Sequence, residues 1–82
     1  MRIRVLYFAS LRRALALAAE EVELPPCDAR VADLLAHLAA RHPPLQAHLP
    51  MLLLSRNQEW CTPETLLADG DEVALMPPVS GG

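Results

Sequence analysis

The residues of this chain best suited to chemistry by type and position are its last two, Gly81 and Gly82. Only three glycines occur among 82 residues. At the usual glycine frequency, about 7%, a terminal pair arises by chance about once in 200 chains. The pair follows Met76-Pro77-Pro78-Val79-Ser80, a strand-like anchor leading into a stiff spacer. At about 3.3 Å per residue, the chain from Pro77 onward can reach roughly 20 Å beyond a folded body. On composition alone a frayed tail would account for the pair. The context points instead to delivery of a C-terminal carboxylate down a narrow channel in another protein. Glycine fits that task because a Cβ would widen the thread and restrict φ where the backbone must bend. The carboxylate itself is a poor electrophile. Adenylation would make it a mixed anhydride with AMP as leaving group, open to a sulfur nucleophile. The chain has neither GxxxxGK[ST] nor GxGxxG, so ATP would be used by a separate activating enzyme, and this chain is assigned no cofactor of its own.

Other reactive residues form no constellation. Cys27 and Cys61 stand alone, without a CxxC pair or a histidine at ligand spacing, so no metal site is predicted and reduced, partly buried thiols are the plain reading. His37, His42 and His48 complete no catalytic triad with them. His37 and His42 are off one helical face, as solvated or helix-end histidines would be. A free-standing enzyme is therefore not expected.

The formal charge of −3 argues against nucleic acid as the main partner, because phosphate neutralisation needs clustered cations. All seven basic residues are arginine, and without lysine the chain has no side-chain amine for acylation or isopeptide attachment. The apolar run Val5 to Leu11 is stopped by Arg12 and Arg13, too early for a signal-peptide core. No uncharged run approaches the ~18 residues that span a bilayer. The chain reads as cytoplasmic, with no membrane partner.

One small domain must position the tail. Arg2 to Phe8 reads as a strand with Ile3, Val5 and Tyr7 on one face. Ser10 can cap a short helix holding Leu11 and Leu15. Glu21 to Leu24 alternates as a second strand, ended by Pro25-Pro26. The spacing of Val31, Leu34, Leu35 and Leu38 predicts the main helix over Val31 to Arg41, with Asp28 the better cap candidate and Pro43-Pro44 its stop. Met51 to Ser55 is a buried-strand run, Arg56-Asn57-Gln58 a turn, and Glu59 to Cys61 a short return strand. Asp69-Gly70-Asp71 is a turn, and Glu72 to Met76 the last strand. The second strand, helix and third strand stand in βαβ order, with parallel pairing left open. A mixed sheet packed on one main helix, of the α+β class, follows.

In this order the elements resemble ubiquitin-like β-grasp proteins, with a domain over residues 1–76 and an extended tail over 77–82. Leu6-Tyr7-Phe8-Ala9-Ser10-Leu11-Arg12, Val31-Ala32-Asp33-Leu34-Leu35, Asn57-Gln58-Glu59 and the Pro77-Pro78-Val79-Ser80-Gly81-Gly82 end resemble the sulfur-carrier small subunits of molybdopterin synthase. The resemblance covers essentially the whole chain. It implies that an E1-like adenylyltransferase activates Gly82 with ATP and that a sulfur-donating sulfurtransferase leads to the Gly82 thiocarboxylate. The tail would then enter the large catalytic subunit, in a heterotetramer, and give sulfur to cyclic pyranopterin monophosphate. Phe8, Leu11, Met76 and Val79 are the candidates for an apolar docking patch; ordinary core is the competing reading for Phe8 and Leu11. Arg30, Arg56, Cys27 and Cys61 depart from the family pattern. Two alternatives share the Gly-Gly end. Thiamine-pathway sulfur carriers lack the Tyr-Phe-Ala-Ser-Leu-Arg start and the Pro-Pro. A ubiquitin-like protein modifier would join its glycine to lysines of other proteins.

Overall fold

A computed structural model describes residues 1–25 and 29–78. The elements are β1 (Arg2–Tyr7), α1 (Ser10–Leu15), β2 (Ala19–Glu23), α2 (Val31–Arg41), two 3-10 turns (Pro43–Ala47 and Leu49–Met51), β3 (Leu53–Arg56), β4 (Glu59–Trp60) and β5 (Glu72–Met76). They form one five-stranded sheet in the order β2-β1-β5-β3-β4. β1 and β5 run parallel at its centre, and the other neighbours pair antiparallel. β2 and β3 are thus not sheet neighbours, and the βαβ order conceals a crossing of the central pair. This is the α+β β-grasp arrangement the sequence predicts.

The alternation of β1 decides which face the helix covers. Ile3, Val5 and Tyr7 point to the core, joined by Val22, Leu54, Val73 and Leu75 from the other strands. Val31, Leu34 and Leu38 close over them from α2, with Leu11 and Leu45 filling the edge. Each fully buried aliphatic side chain of this kind contributes about 1.5–3 kcal/mol.

Several boundaries differ from the sequence reading. Ser10 is the first residue of α1, and Ala9 holds the N-cap place without a side-chain bond. Ala9 takes φ 52° and ψ −127°, a backbone shape that normally selects glycine. Leu49–Met51 is a 3-10 turn around Pro50, so β3 begins only at Leu53. Arg30, not Asp28, occupies the N-cap of α2; Cys27 and Asp28 lie outside the described residues. The helix amides find other acceptors: Val31 N–H donates to the Thr65 carbonyl and Ala32 N–H to that of Pro63, each at 2.9 Å. The Asp33 carboxylate accepts the Arg30 N–H at 2.7 Å. A neutral or cationic residue at the cap is tolerated because the 63–65 loop satisfies the helix end.

Arg56 has a comparable role at the opposite edge. Its guanidinium donates to the Leu66 carbonyl at 3.2 Å and lies 3.6 Å from the buried Asp71 carboxylate. Asp71 also accepts from Asn57 Nδ2 and the Ala68 N–H. Asn57 and Gln58, at φ 52° and 70°, make the two-residue turn between β3 and β4.

A polar cluster ties β1 and β2 to the end of α2. The Tyr7 hydroxyl donates to Glu20 Oε2 at 2.6 Å, His42 Nε2 lies 2.7 Å from the same oxygen, and Arg41 is 3.5 Å from Oε1. Burial pushes the Glu20 carboxyl upward, but the bonds from Tyr7 and His42 and the charges of His42 and Arg41 outweigh it. Its pKa falls below the ordinary value. Burial, followed by the bond to Glu20, raises that of the Tyr7 phenol. A depressed carboxyl pKa contributes stability that is present above the unfolded value, about 4.3, and lost as pH falls through the folded value. Glu20→Gln is therefore expected to lose roughly 1–2 kcal/mol at pH 7. It should also flatten the decline in stability between pH 5 and pH 3, as measured by urea unfolding; an unchanged decline would show that other groups cause it.

Candidate functional site: the tail root and the open sheet face

β5 is hydrogen-bonded on both sides, to β1 and β3, up to the point where the chain leaves the sheet. Met76 is its last residue; Pro77 is half-buried and Pro78 exposed. Val79, Ser80, Gly81 and Gly82 lie outside the described residues. The Phe8 N–H donates to the Leu75 carbonyl at 3.2 Å, so the end of β1 is fixed beside the root of the tail.

Register then dictates what surrounds that root. With Ile3, Val5 and Tyr7 facing the helix, Arg2, Arg4 and Leu6 face away from it, and Phe8 continues outward with 44% exposure. Across the sheet, Leu6 is level with Ala74, Ala74 with Ser55, and Ser55 with Trp60; Leu53 pairs with Met76. The open face therefore divides in two. Phe8, Met76, Leu53 and Trp60 form an apolar half toward the tail root. Arg2, Arg4, Glu21, Glu23 and Glu72 form a charged half at the opposite end.

The charged half borders an open groove of about 590 Å³. Its arginines are already paired: Arg2 with Glu23 at 3.1 Å and Glu21 at 3.3 Å, Arg4 with Glu72 at 3.7 Å. Among the described residues the groove offers no free guanidinium to a phosphate. Among those residues, too, the apolar half has no partner, and large exposed side chains grouped in this way mark an interaction surface.

The predicted patch is thus redrawn. Phe8 and Met76 stand on the open face, and Val79 lies outside the described residues. Leu11 does not belong: it is 0% exposed, because the first turn of α1 points it into the core. Trp60, 72% exposed, was missed. The signal for it was present, since a two-residue turn at Asn57-Gln58 places residue 60 opposite Ser55 and on the outward parity.

Among the described residues no reactive constellation accompanies the face. His42 is engaged by Glu20, while His37 is exposed on α2. Burial raises the pKa of the half-buried Cys61 thiol, against weaker opposing effects of Arg56 and Thr65. Among the described residues no three His, Cys, Asp or Glu side chains are grouped to hold a metal ion, and no helix is long and apolar enough to cross a membrane.

A central parallel strand pair, one grasped helix and an apolar open face at the C-terminal root define a ubiquitin-like β-grasp protein. Residues 5–82 match the ThiS family, and the chain belongs to it. Over its whole length it is 42% identical to a molybdopterin synthase sulfur carrier subunit from Chlamydomonas reinhardtii, itself covered completely. It is 36% identical to one from Mycobacterium tuberculosis, with 100% of this chain and 99% of the relative covered. The crystal structure of SAMP1 from Haloferax volcanii superimposes with a TM-score of 0.90 at 31% identity, with both chains fully covered.

The division between core and face is open to a direct check by chemical denaturation. Leu11→Ala is expected to cost about 2–5 kcal/mol, as for a buried leucine. Phe8→Ala and Trp60→Ala should each cost less than about 1 kcal/mol. A Leu11 variant as stable as the parent would return that residue to the surface.

Proposed function

We propose that this chain is the sulfur-carrier subunit of a molybdopterin synthase, with the Gly82 carboxyl as its reactive group. The reading is carried by the full-length identity to subunits of that name. It is supported by an apolar face set against the root of a tail that ends in Gly81-Gly82. In this scheme an E1-like adenylyltransferase joins the Gly82 carboxylate to AMP from ATP, releasing pyrophosphate. The outer sulfur of a sulfurtransferase persulfide displaces AMP, and a thiol then cleaves the resulting acyl disulfide, leaving the Gly82 thiocarboxylate and a disulfide. The tail, residues 77–82 beyond the 1–76 domain, then enters the large catalytic subunit and gives up its sulfur to cyclic pyranopterin monophosphate. Nucleotide and catalytic residues belong to those partners, all in the cytoplasm, and this chain supplies the carrier carboxyl and the docking face.

The chemistry assigned to this chain is simple. Pro77 and Pro78 fix φ and donate no hydrogen bond, which keeps the emerging backbone from extending the β5 ladder. The two glycines let the backbone turn where a side chain would obstruct. Phe8, Met76, Leu53 and Trp60 bury apolar surface against the partner and set the depth of tail entry.

SAMP1 favours a second reading, since it is a small archaeal modifier protein and its chain superimposes over the full length. In that case the Gly82 acyl group would pass to a lysine of another protein rather than to sulfur chemistry.

Intact-mass measurement after incubation with the activating enzyme, ATP and a sulfur donor tests the scheme. The expected change is replacement of one oxygen by sulfur at Gly82, with subsequent molybdopterin formation on adding the large subunit and cyclic pyranopterin monophosphate. Deletion of Gly82 should abolish the mass change while altering stability by less than about 0.5 kcal/mol. Trp60→Ala should weaken binding to the large subunit at least about tenfold. Sulfur loading of the truncated chain would end the proposal, and attachment to target lysines without molybdopterin formation would favour the modifier.

A further inference from the structure

The arginines of this protein are not used alike. Arg2, Arg4, Arg41 and Arg56 each face a carboxylate within 4 Å, and Arg30 donates to the Glu64 carbonyl at 2.7 Å. Arg12 and Arg13 alone, among the described residues, enter no ion pair and no side-chain hydrogen bond. Both are exposed. The stretch from Phe8 to Ala18 that contains them holds no acidic residue, in a chain whose formal charge is −3. One short segment is therefore cationic on an otherwise acidic molecule.

Its location gives this asymmetry a use. α1 starts two residues after Phe8, and the Phe8 N–H is bonded to Leu75, one residue before the end of β5. Leu11 anchors the helix in the core, so Arg12 and Arg13, four and five residues after Phe8, are carried on a support fixed at the end of β1. Helix-end stabilisation is the plain alternative. Both residues lie in the last turn of α1, where cations interact favourably with exposed carbonyls. That role would show in stability and leave partner encounter untouched.

Resting on the carrier reading above, we propose that Arg12 and Arg13 are a steering patch that engages a carboxylate-bearing rim around the opening of the large subunit that admits the tail. The apolar face supplies contact area, whereas the guanidiniums orient the approach, so that the end of the molecule bearing the tail arrives first. Because the rest of the chain is acidic, the same rim repels the charged end of the sheet and discourages inverted encounters. Two cations are too few to hold a nucleic acid, which leaves a protein surface as the occupant.

Stopped-flow association of the full chain with the large subunit across a salt series tests the patch. Arg12→Ala/Arg13→Ala should lower the association rate about tenfold at low salt, and the deficit should shrink as salt rises. Ala36→Glu/Ala40→Glu, on the exposed side of α2, changes the net charge equally and should have a much smaller effect. Arg12→Lys/Arg13→Lys should restore the rate. Equal slowing by the two charge-matched variants, or no slowing by the alanine pair, would overturn the proposal. Failure of the lysine pair to rescue would do the same, as would a rate loss that follows a loss of thermal stability. If the parent chain does not bind the large subunit at all, the carrier reading itself fails and the patch falls with it.

Discussion

The parallel pairing of β1 with β5 is the constraint on which the rest depends. Antiparallel neighbours can be joined by a turn of two residues, but a parallel pair requires the intervening chain to travel the length of the sheet and return. Here nearly the whole domain, including α2 and the outer strands, is that return. The pairing places the end of the last strand beside the end of the first. The tail root consequently emerges at the rim next to Phe8, and the residues of β1, β5 and β3 that share one parity become a single face around it. Packing on the other side follows from the same parity, because Ile3, Val5 and Tyr7 cannot face the helix unless Phe8 faces away from it.

Much of this arrangement can be read from the sequence where one physical signal dominates. The apolar stripe of Val31, Leu34 and Leu38 and the Pro43-Pro44 stop set the bounds of α2, and alternation set the inward face of β1. Legibility declines where distant segments decide the outcome. The cap of α2 could not be found locally because its acceptors are carbonyls of residues 63 and 65, brought there by the tertiary fold. Arg56 departs from the pattern of the family the sequence resembles, yet its partners, Asp71 and the Leu66 carbonyl, come from another loop. For the docking face, residue type was an uncertain guide. Leu11 and Phe8 are both apolar and three positions apart, but the reversal at Ala9 sends one inward and the other outward. Trp60 needed only the register of a tight turn, which is a matter of parity rather than composition.

Polar groups inside the domain divide into two sets, one on each flank of the sheet. Asp71, Asn57 and Arg56 bind the turn before β5 to the β3–β4 hairpin, and so hold the outer strands against the central pair. Glu20, Tyr7 and His42 do the same on the other flank, where the end of α2 meets β1 and β2. Both sets are satisfied internally. They brace the sheet from its two edges without drawing on the apolar half of the open face, which can be offered to another surface.

The backbone at Ala9 carries one more implication. Glycine would take φ 52° and ψ −127° with little strain, whereas a methyl group there costs on the order of 1–2 kcal/mol. Glycine would also admit many other dihedral pairs, and the joint between strand and helix would loosen. The methyl excludes most of those alternatives, trading some folding free energy for a fixed bearing. An aromatic ring and the helix behind it are thereby kept at one angle to the sheet, in readiness for whatever surface they meet.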